Sequence, residues 1–458
     1  MIRNYLYKIY CKIYSIAKIL LQKKTRIYFR MINLSPPNFS KNQEVEIKGP
    51  YINDIEFNKP TMIKKDNLFP VENIVYIGSN MKLKESYEQK KQSNSPLGVK
   101  LKDASIVWES FLDASVIPDG YKNGGLHYTG YISDKINEWC LPTWIWTNAA
   151  LVRMYCNNGN IIKALQIADL LMKQQLDCGG WIVRNDYTEE GAVPTLAPND
   201  SAYIANNAFI EVFKATNKIE YLDAAKKCAD WIIKTARPDG LVWSGYDMKH
   251  KKWIKKHIIV DTGFTAGLFA NLYDLTKENK YKIFLEKFVN QFIKLFYNSS
   301  KKGFATSLNT HDKQNGGMFA RGQAWALEGL IPAYMVLETD EIKQVIEATI
   351  SNLLKKQLQN GGWAYNFSKP LLGEDCKGVA VIAKSLAEWD RIEPSDKITN
   401  SVQKALDWSA KHTANEGICR GGIFSFCMEG AVVHNFYSKT AFVYTSAYAI
   451  ETYDILNK

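Results

Sequence analysis

Val260-Asp261-Thr262-Gly263-Phe264-Thr265-Ala266-Gly267-Leu268-Phe269-Ala270-Asn271-Leu272-Tyr273 carries one carboxylate near its start and no other charge. It reads as a helix apolar on most sides, and such a helix belongs in a protein interior. Sixty-one residues earlier, Asp200 heads a similar segment, Ser201-Ala202-Tyr203-Ile204-Ala205-Asn206-Asn207-Ala208-Phe209-Ile210. Sixty residues later, Arg321 heads Gly322-Gln323-Ala324-Trp325-Ala326-Leu327-Glu328-Gly329-Leu330. Further apolar segments begin near Trp139, after Asp375 and near Lys439, so a step of roughly 60 residues recurs along the chain, the mark of a repeat architecture.

The apolar helices are expected at 138–155, 200–216, 261–276, 321–337, 377–391 and 439–456. Lysine- and glutamate-bearing helices with a single apolar stripe are expected at 99–115, 159–176, 219–236, 278–298, 340–358 and 396–412. A helix with one apolar stripe faces water on its other side, so the two sets sort into an outer and an inner ring. The expected fold is all-α, an (α/α)6 toroid over residues 99–458. Residues 1–30 form a basic amphipathic segment before it, and 31–98 an irregular extension. Each outer helix is read as paired with the inner helix after it, through a short β-like glycine loop such as Cys178-Gly179-Gly180-Trp181 or Asn360-Gly361-Gly362-Trp363. Glycine allows the left-handed backbone that ends a helix and turns the chain.

Because each inner helix is reached from an outer helix running the opposite way, all inner N-termini belong on one rim. Asp200, Asp261, Arg321 and Asp375 then converge on a central mouth, and helix N-termini make that mouth favourable to an anion. Asp200 and Asp261 are the leading catalytic candidates, since two carboxylates across a cleft are the usual equipment for breaking glycosidic bonds. Aspartate at a helix start is also a common cap, so the pair carries the argument rather than either residue alone. Arg321 can grip a carboxylate through two parallel hydrogen bonds, or can pair with Asp261 or Asp375. Gln323 adds an amide and Trp325 a flat face for a sugar ring. His311, Trp144, Trp181 and Trp243, all on loops, are further substrate-binding candidates. Cys427 and His434, with Cys376 or Cys419, fit no standard zinc spacing, and no metal is expected.

The chain has 458 residues, 46% hydrophobic, with a formal net charge of +11. That is enough apolar content for a large core, and the charge favours anionic ligands or an anionic membrane surface. Lysine is scattered over the outer helices rather than clustered beside exposed aromatics, which argues against a nucleic-acid partner. Eight cysteines with no CxxC pair point to a reduced, cytoplasmic setting. Lysines at 8, 12, 18, 23 and 24 interrupt the first segment, so neither a signal peptide nor a membrane span is expected. Residues 3–26 have an apolar face at helical spacing. They read either as a helix lying on the inner membrane surface or as one packed on the main domain.

Ala320-Arg321-Gly322-Gln323-Ala324-Trp325-Ala326 resembles the RGQAW signature of glycoside hydrolase family 88, the unsaturated glucuronyl hydrolases, which are related to the unsaturated rhamnogalacturonyl hydrolases of the six-hairpin superfamily. His257-Ile258-Ile259-Val260-Asp261 is similar to the segment that ends in that family's catalytic aspartate. Asn199-Asp200 stands where its second aspartate belongs, with Asn199 in place of a histidine. The resemblance implies hydration of an unsaturated uronic acid in an acidic oligosaccharide. Asp261 is then the general acid and base, Asp200 orients the sugar, and Arg321, Gln323 and Trp325 bind it, with no cofactor. Two other readings remain at this stage. One is a different carbohydrate enzyme on the same scaffold, such as a uronate or sugar epimerase or a polysaccharide-modifying enzyme, which histidine pairs at the mouth would favour. The other is a non-catalytic glycan-binding protein.

Overall fold

The computed structural model describes residues 97–457 except 118, 120–122, 133–137, 141–144, 189–190, 249, 255–257, 369–373, 375, 418 and 425–439. The expected segments 1–30 and 31–98 lie outside the described residues but for 97 and 98, as do Trp144, Asp375, Cys427 and His434.

The outer helices are α1 (Leu101–Ala114), α3 (Ile161–Lys173), α6 (Ile219–Thr235), α8 (Asn279–Phe296), α10 (Asp340–Lys356) and α12 (Asp396–Lys411). The inner set is α2 (Thr147–Asn157), α7 (Phe264–Thr276), α9 (Ala320–Leu337), α11 (Cys376–Asp390), α13 (Val443–Asn457), and one rod made of α4 (Pro198–Ile204), a π-helical stretch (Ala205–Ile210) and α5 (Glu211–Thr216). Each inner helix packs on the next and α13 packs back on α2, so the ring closes as the (α/α)6 toroid that the spacing predicts. Among the described residues no helix is long and apolar enough to cross a membrane.

Two expectations are corrected. The first and last inner helices begin later than expected, because Glu138–Cys140 and Thr440–Phe442 are strands that flank Gly130–Ile132 in a three-stranded antiparallel sheet. Pro142 between that first strand and α2 also disfavours helix there. The pairing differs as well: each outer helix packs chiefly on the inner helix before it in the chain. The turns explain this. Asn217, Lys277 and Glu338 each adopt a left-handed conformation and bond back to the carbonyl four residues earlier, which reverses the chain within two residues. With no inner helix before it among the described residues, α1 packs on α13, and the two ends of the domain lock the ring.

Glycines let inner neighbours approach closely where the site is built. A Cβ on Gly329 would lie 2.0 Å from the Gly263 carbonyl oxygen, and one on Gly322 would lie 2.5 Å from Val260 Cγ1. Gly329→Ala should therefore destabilise the fold. A steric cost of up to about 3 kcal/mol or more outweighs the roughly 1 kcal/mol that alanine gains in helix propensity. Denaturant unfolding checks this, and an unchanged or raised midpoint would contradict the close approach.

His127 is buried against α1. Ser115 Oγ donates its hydrogen to the Leu112 carbonyl at 2.7 Å, so it accepts from His127 Nδ1–H at 2.8 Å. Burial pushes the imidazole down to about 4. In the unfolded chain it takes up a proton near its usual value of about 6.5, so the unfolded state binds more protons between these limits. Stability present at neutral pH is then lost as pH falls from about 6.5 to about 4, by about 3 kcal/mol in all for this residue. Between pH 7 and 5 the wild type should lose about 2 kcal/mol more than His127→Asn in denaturant unfolding. Parallel pH curves would show that the imidazole is not the cause.

Candidate active site

Side chains fill the inside of the ring in layers set by rank along the inner helices. In the rim layer, Asp200 is the third residue of α4, only 1% exposed, and its Oδ1 accepts from Asn199 Nδ2 at 2.9 Å. Asp261 is half-buried in a 3-10 turn, Val260–Gly263, that leads into α7. That turn packs on α4 and on α9, so Asp261 stands between the helices that carry Asp200 and Arg321. Arg321 is the second residue of α9. Its guanidinium carbon lies 4.4 Å from the Phe319 ring centre and 5.0 Å from the Trp325 ring centre. Two aromatic faces help to hold the cation in place.

Several buried polar atoms on this rim have no hydrogen-bond partner among the described residues: Asn199 Oδ1, Thr262 Oγ1, Trp325 Nε1 and Thr445 Oγ1. Thr262 lies in the 3-10 turn before α7 and the others within the first two turns of inner helices, and such groups call for a polar partner. Lys377, the second residue of α11, adds a cation that the sequence reading passed over, buried with its Nζ 4.0 Å from the Phe442 ring centre.

An aromatic layer lies just beneath. Phe264 contacts Tyr203 at 4.6 Å between ring centres and Trp325 at 5.8 Å, while Trp146 contacts Tyr203 at 5.2 Å and Tyr444 at 5.3 Å. These rings come from the first turns of different inner helices and form one connected cluster.

A four-stranded antiparallel sheet is formed by Ile182–Thr188, Gly191–Leu196, Gly245–Asp247 and Lys252–Ile254. It joins the connections that lead to Asp200 and to Asp261. Among the described residues its outer hairpin carries His250, Lys251 and Lys252. Asp247, itself buried, receives the backbone N–H of His250 at 2.9 Å and faces its Nδ1 at 2.6 Å. A carboxylate that only accepts fixes the proton on Nδ1 and with it the ring orientation.

Other expected substrate contacts fall elsewhere. Trp181 is fully buried and donates from Nε1 to the Leu171 carbonyl at 2.8 Å, so it is core and offers no face to a sugar. Gln323 is also fully buried. Its Oε1 accepts from Phe304 N–H, and its Nε2 donates to the carbonyls of Phe304 and Phe319, which clamps a rim strand to α9. Trp243 carries the Arg237 guanidinium 5.5 Å from its ring centre. Arg237 in turn binds Asp312 at 2.6 and 2.9 Å, which pins the turn that holds the exposed His311. That guanidinium holds the Asp312 carboxyl below its usual range.

The profile of Glycosyl Hydrolase Family 88 matches residues 136–452. The chain belongs to that family. This family 88 glycosidase is similar in structure to an unsaturated glucuronyl hydrolase from Bacillus sp. GL1 (TM-score 0.60, 13% identity, 77% of this chain and 96% of that one). It is likewise similar to an unsaturated glucuronyl hydrolase specific for heparin (0.59, 14%, 78% and 96%). Cellobiose 2-epimerase from Bacillus thermoamylovorans B4167 is similar to the same degree (0.59, 13%, 77% and 99%). At such identities the likeness speaks to fold, and a hydrolase and an epimerase on one scaffold show that fold does not decide the reaction. No curated protein matches in sequence.

Beneath the aromatic layer the family 88 chain holds a layer of charge that its sequence hardly announces. Arg153 of α2 makes a two-pronged pair with Glu451 of α13, both bonds 2.9 Å, and also reaches Asn207 at 2.6 Å and Glu328 of α9 at 3.4 Å. Lys384 of α11 lies 3.7 Å from Glu328 and 2.6 Å from Glu388. Burial pushes the Glu328 carboxyl up, while Lys384 and Arg153 pull it the other way.

Proposed function

We propose that this glycosidase acts on oligosaccharides that end in a C4=C5 unsaturated uronic acid. Asp261 gives its proton to C4, the positive charge falls on C5 beside the ring oxygen, and Asp261, now a carboxylate, takes a proton from the water that adds at C5. The product is a hemiketal. Its ring opens to a ketone at C5, and the hemiacetal left at C1 expels the next sugar. Asp200 orients the substrate and supports the developing charge, and Arg321 binds the uronate carboxylate.

The observation that carries this reading is the 3-10 turn of Asp261 packed between the helix of Asp200 and the helix of Arg321. Two acids and a fixed guanidinium then share one rim, beside polar atoms that call for a partner. The formal net charge of +11 suits an acidic substrate, since a positive surface raises the local concentration of anions. Relatives in fold include unsaturated glucuronyl hydrolases. The test is to offer the protein a panel of lyase-generated unsaturated disaccharides and to follow the ultraviolet absorbance of the conjugated double bond. Absorbance should fall for at least one of them, and no fall across a broad panel would overturn the reading.

A further inference from the structure

Tyr203 lies one turn beyond Asp200 on the same helix, and the buried charge layer holds it at both ends. Its hydroxyl is 2.6 Å from that of Tyr448, which is 2.7 Å from Glu328 Oε1. The Tyr448 O–H donates to the carboxylate, so its oxygen accepts the O–H of Tyr203. At the backbone end, the rod passes from α to π geometry directly after Ile204, and the Asn207 amide donates to the Tyr203 carbonyl at 3.0 Å. The Asn207 Oδ1 in turn accepts from Arg153 at 2.6 Å. Hydroxyl and carbonyl of one residue therefore end on the same cluster, Arg153, Glu328, Lys384 and Glu451. π-helical insertions recur at functional sites, where they re-aim side chains.

We propose that Tyr448 and Glu328 are positioning residues that fix the roll of the α4 rod and so aim the Asp200 carboxylate into the mouth. This rests on the reading that Asp200 works on the substrate. A purely structural role for the same bonds predicts something different, so the two can be separated.

Tyr448→Phe keeps the ring and removes the hydroxyl. It should lower kcat on an unsaturated disaccharide by about tenfold or more, since small displacements of a reacting group are costly, with KM within about twofold. In the Asp200→Asn background the same change should cost less than about twofold, because residues that act through one another are not additive. Equal losses in the two backgrounds would overturn the proposal. Glu328→Gln leaves an acceptor for the Tyr448 hydroxyl but removes a buried charge. It should lower Tm more than Tyr448→Phe does and lower kcat less, and kcat losses that follow the Tm losses would mark a structural role alone.

Hydrogen exchange reads the anchoring without any substrate. In Tyr448→Phe the amides of 199–210 should exchange faster while those of α7 and α9 hold their wild-type rates. Change spread evenly over the inner ring, or none, would contradict the anchoring. If the wild-type protein turns over no unsaturated disaccharide, the functional reading falls, and the exchange measurement alone decides whether the charge layer anchors this helix.

Discussion

Asp261→Asn is expected to cut turnover of an unsaturated disaccharide by about a thousandfold, with KM and the unfolding midpoint close to wild type. General acid and base catalysis by one side chain contributes about a hundred- to ten-thousandfold. In the proposed mechanism the same carboxyl serves both the proton donation and the activation of water, so the loss should fall in the upper part of that span. Asparagine keeps the size and one acceptor oxygen, and the half-buried position in a 3-10 turn tolerates it. Steady-state kinetics by absorbance, with circular dichroism as a fold control, makes the check. Activity within about tenfold of wild type would remove Asp261 from the chemistry.

The second large effect concerns stability. Glu451→Ala leaves Arg153 buried without its two-pronged partner, and Glu328 at 3.4 Å replaces little of that interaction. Breaking a buried pair from one side costs about 3–5 kcal/mol, because a charge is left uncompensated. The double change Arg153→Met with Glu451→Leu removes both charges and should recover at least half of the loss. Denaturant unfolding of the wild type, the single variant and the double variant decides it. A single variant within about 1 kcal/mol of wild type would mean that water already reaches Arg153.

The toroid could be read from the sequence because its information is periodic: an apolar helix every sixty residues, alternating with striped ones. The rim could be read for the same reason, since Asp200, Asp261 and Arg321 hold equivalent places in successive repeats. What could not be read is how each side chain spends its polar atoms. Trp181 looked like a sugar platform, yet Gln175-Leu176-Asp177-Cys178-Gly179-Gly180-Trp181 recurs as Gln357-Leu358-Gln359-Asn360-Gly361-Gly362-Trp363. In both copies the indole donates to the carbonyl ten residues back at 2.8 Å. A motif repeated in two hairpins belongs to the scaffold. Gln323 was misread because a glutamine clamp and a glutamine ligand look alike until the three atoms that meet its amide are known.

The charge layer was hidden differently. Glu328, Lys384 and Glu451 each interrupt an apolar run, and each is the ninth residue of its helix. Equal rank puts them at one height, about 12 Å below the rim at 1.5 Å per residue. That alignment shows only once the helix starts are fixed, and the sequence leaves the start of α13 several residues in doubt because Thr440–Phe442 is as apolar as the helix that follows.

One measurement bears most directly on how the rim works. The reaction is run in water labelled with heavy oxygen, the product is reduced at once to prevent exchange, and the label is located by mass spectrometry. Hydration across C4=C5 guided by Asp261 puts the label on C5, which is the expected result. Label on C1, the mark of ordinary hydrolysis at the glycosidic bond, would contradict it.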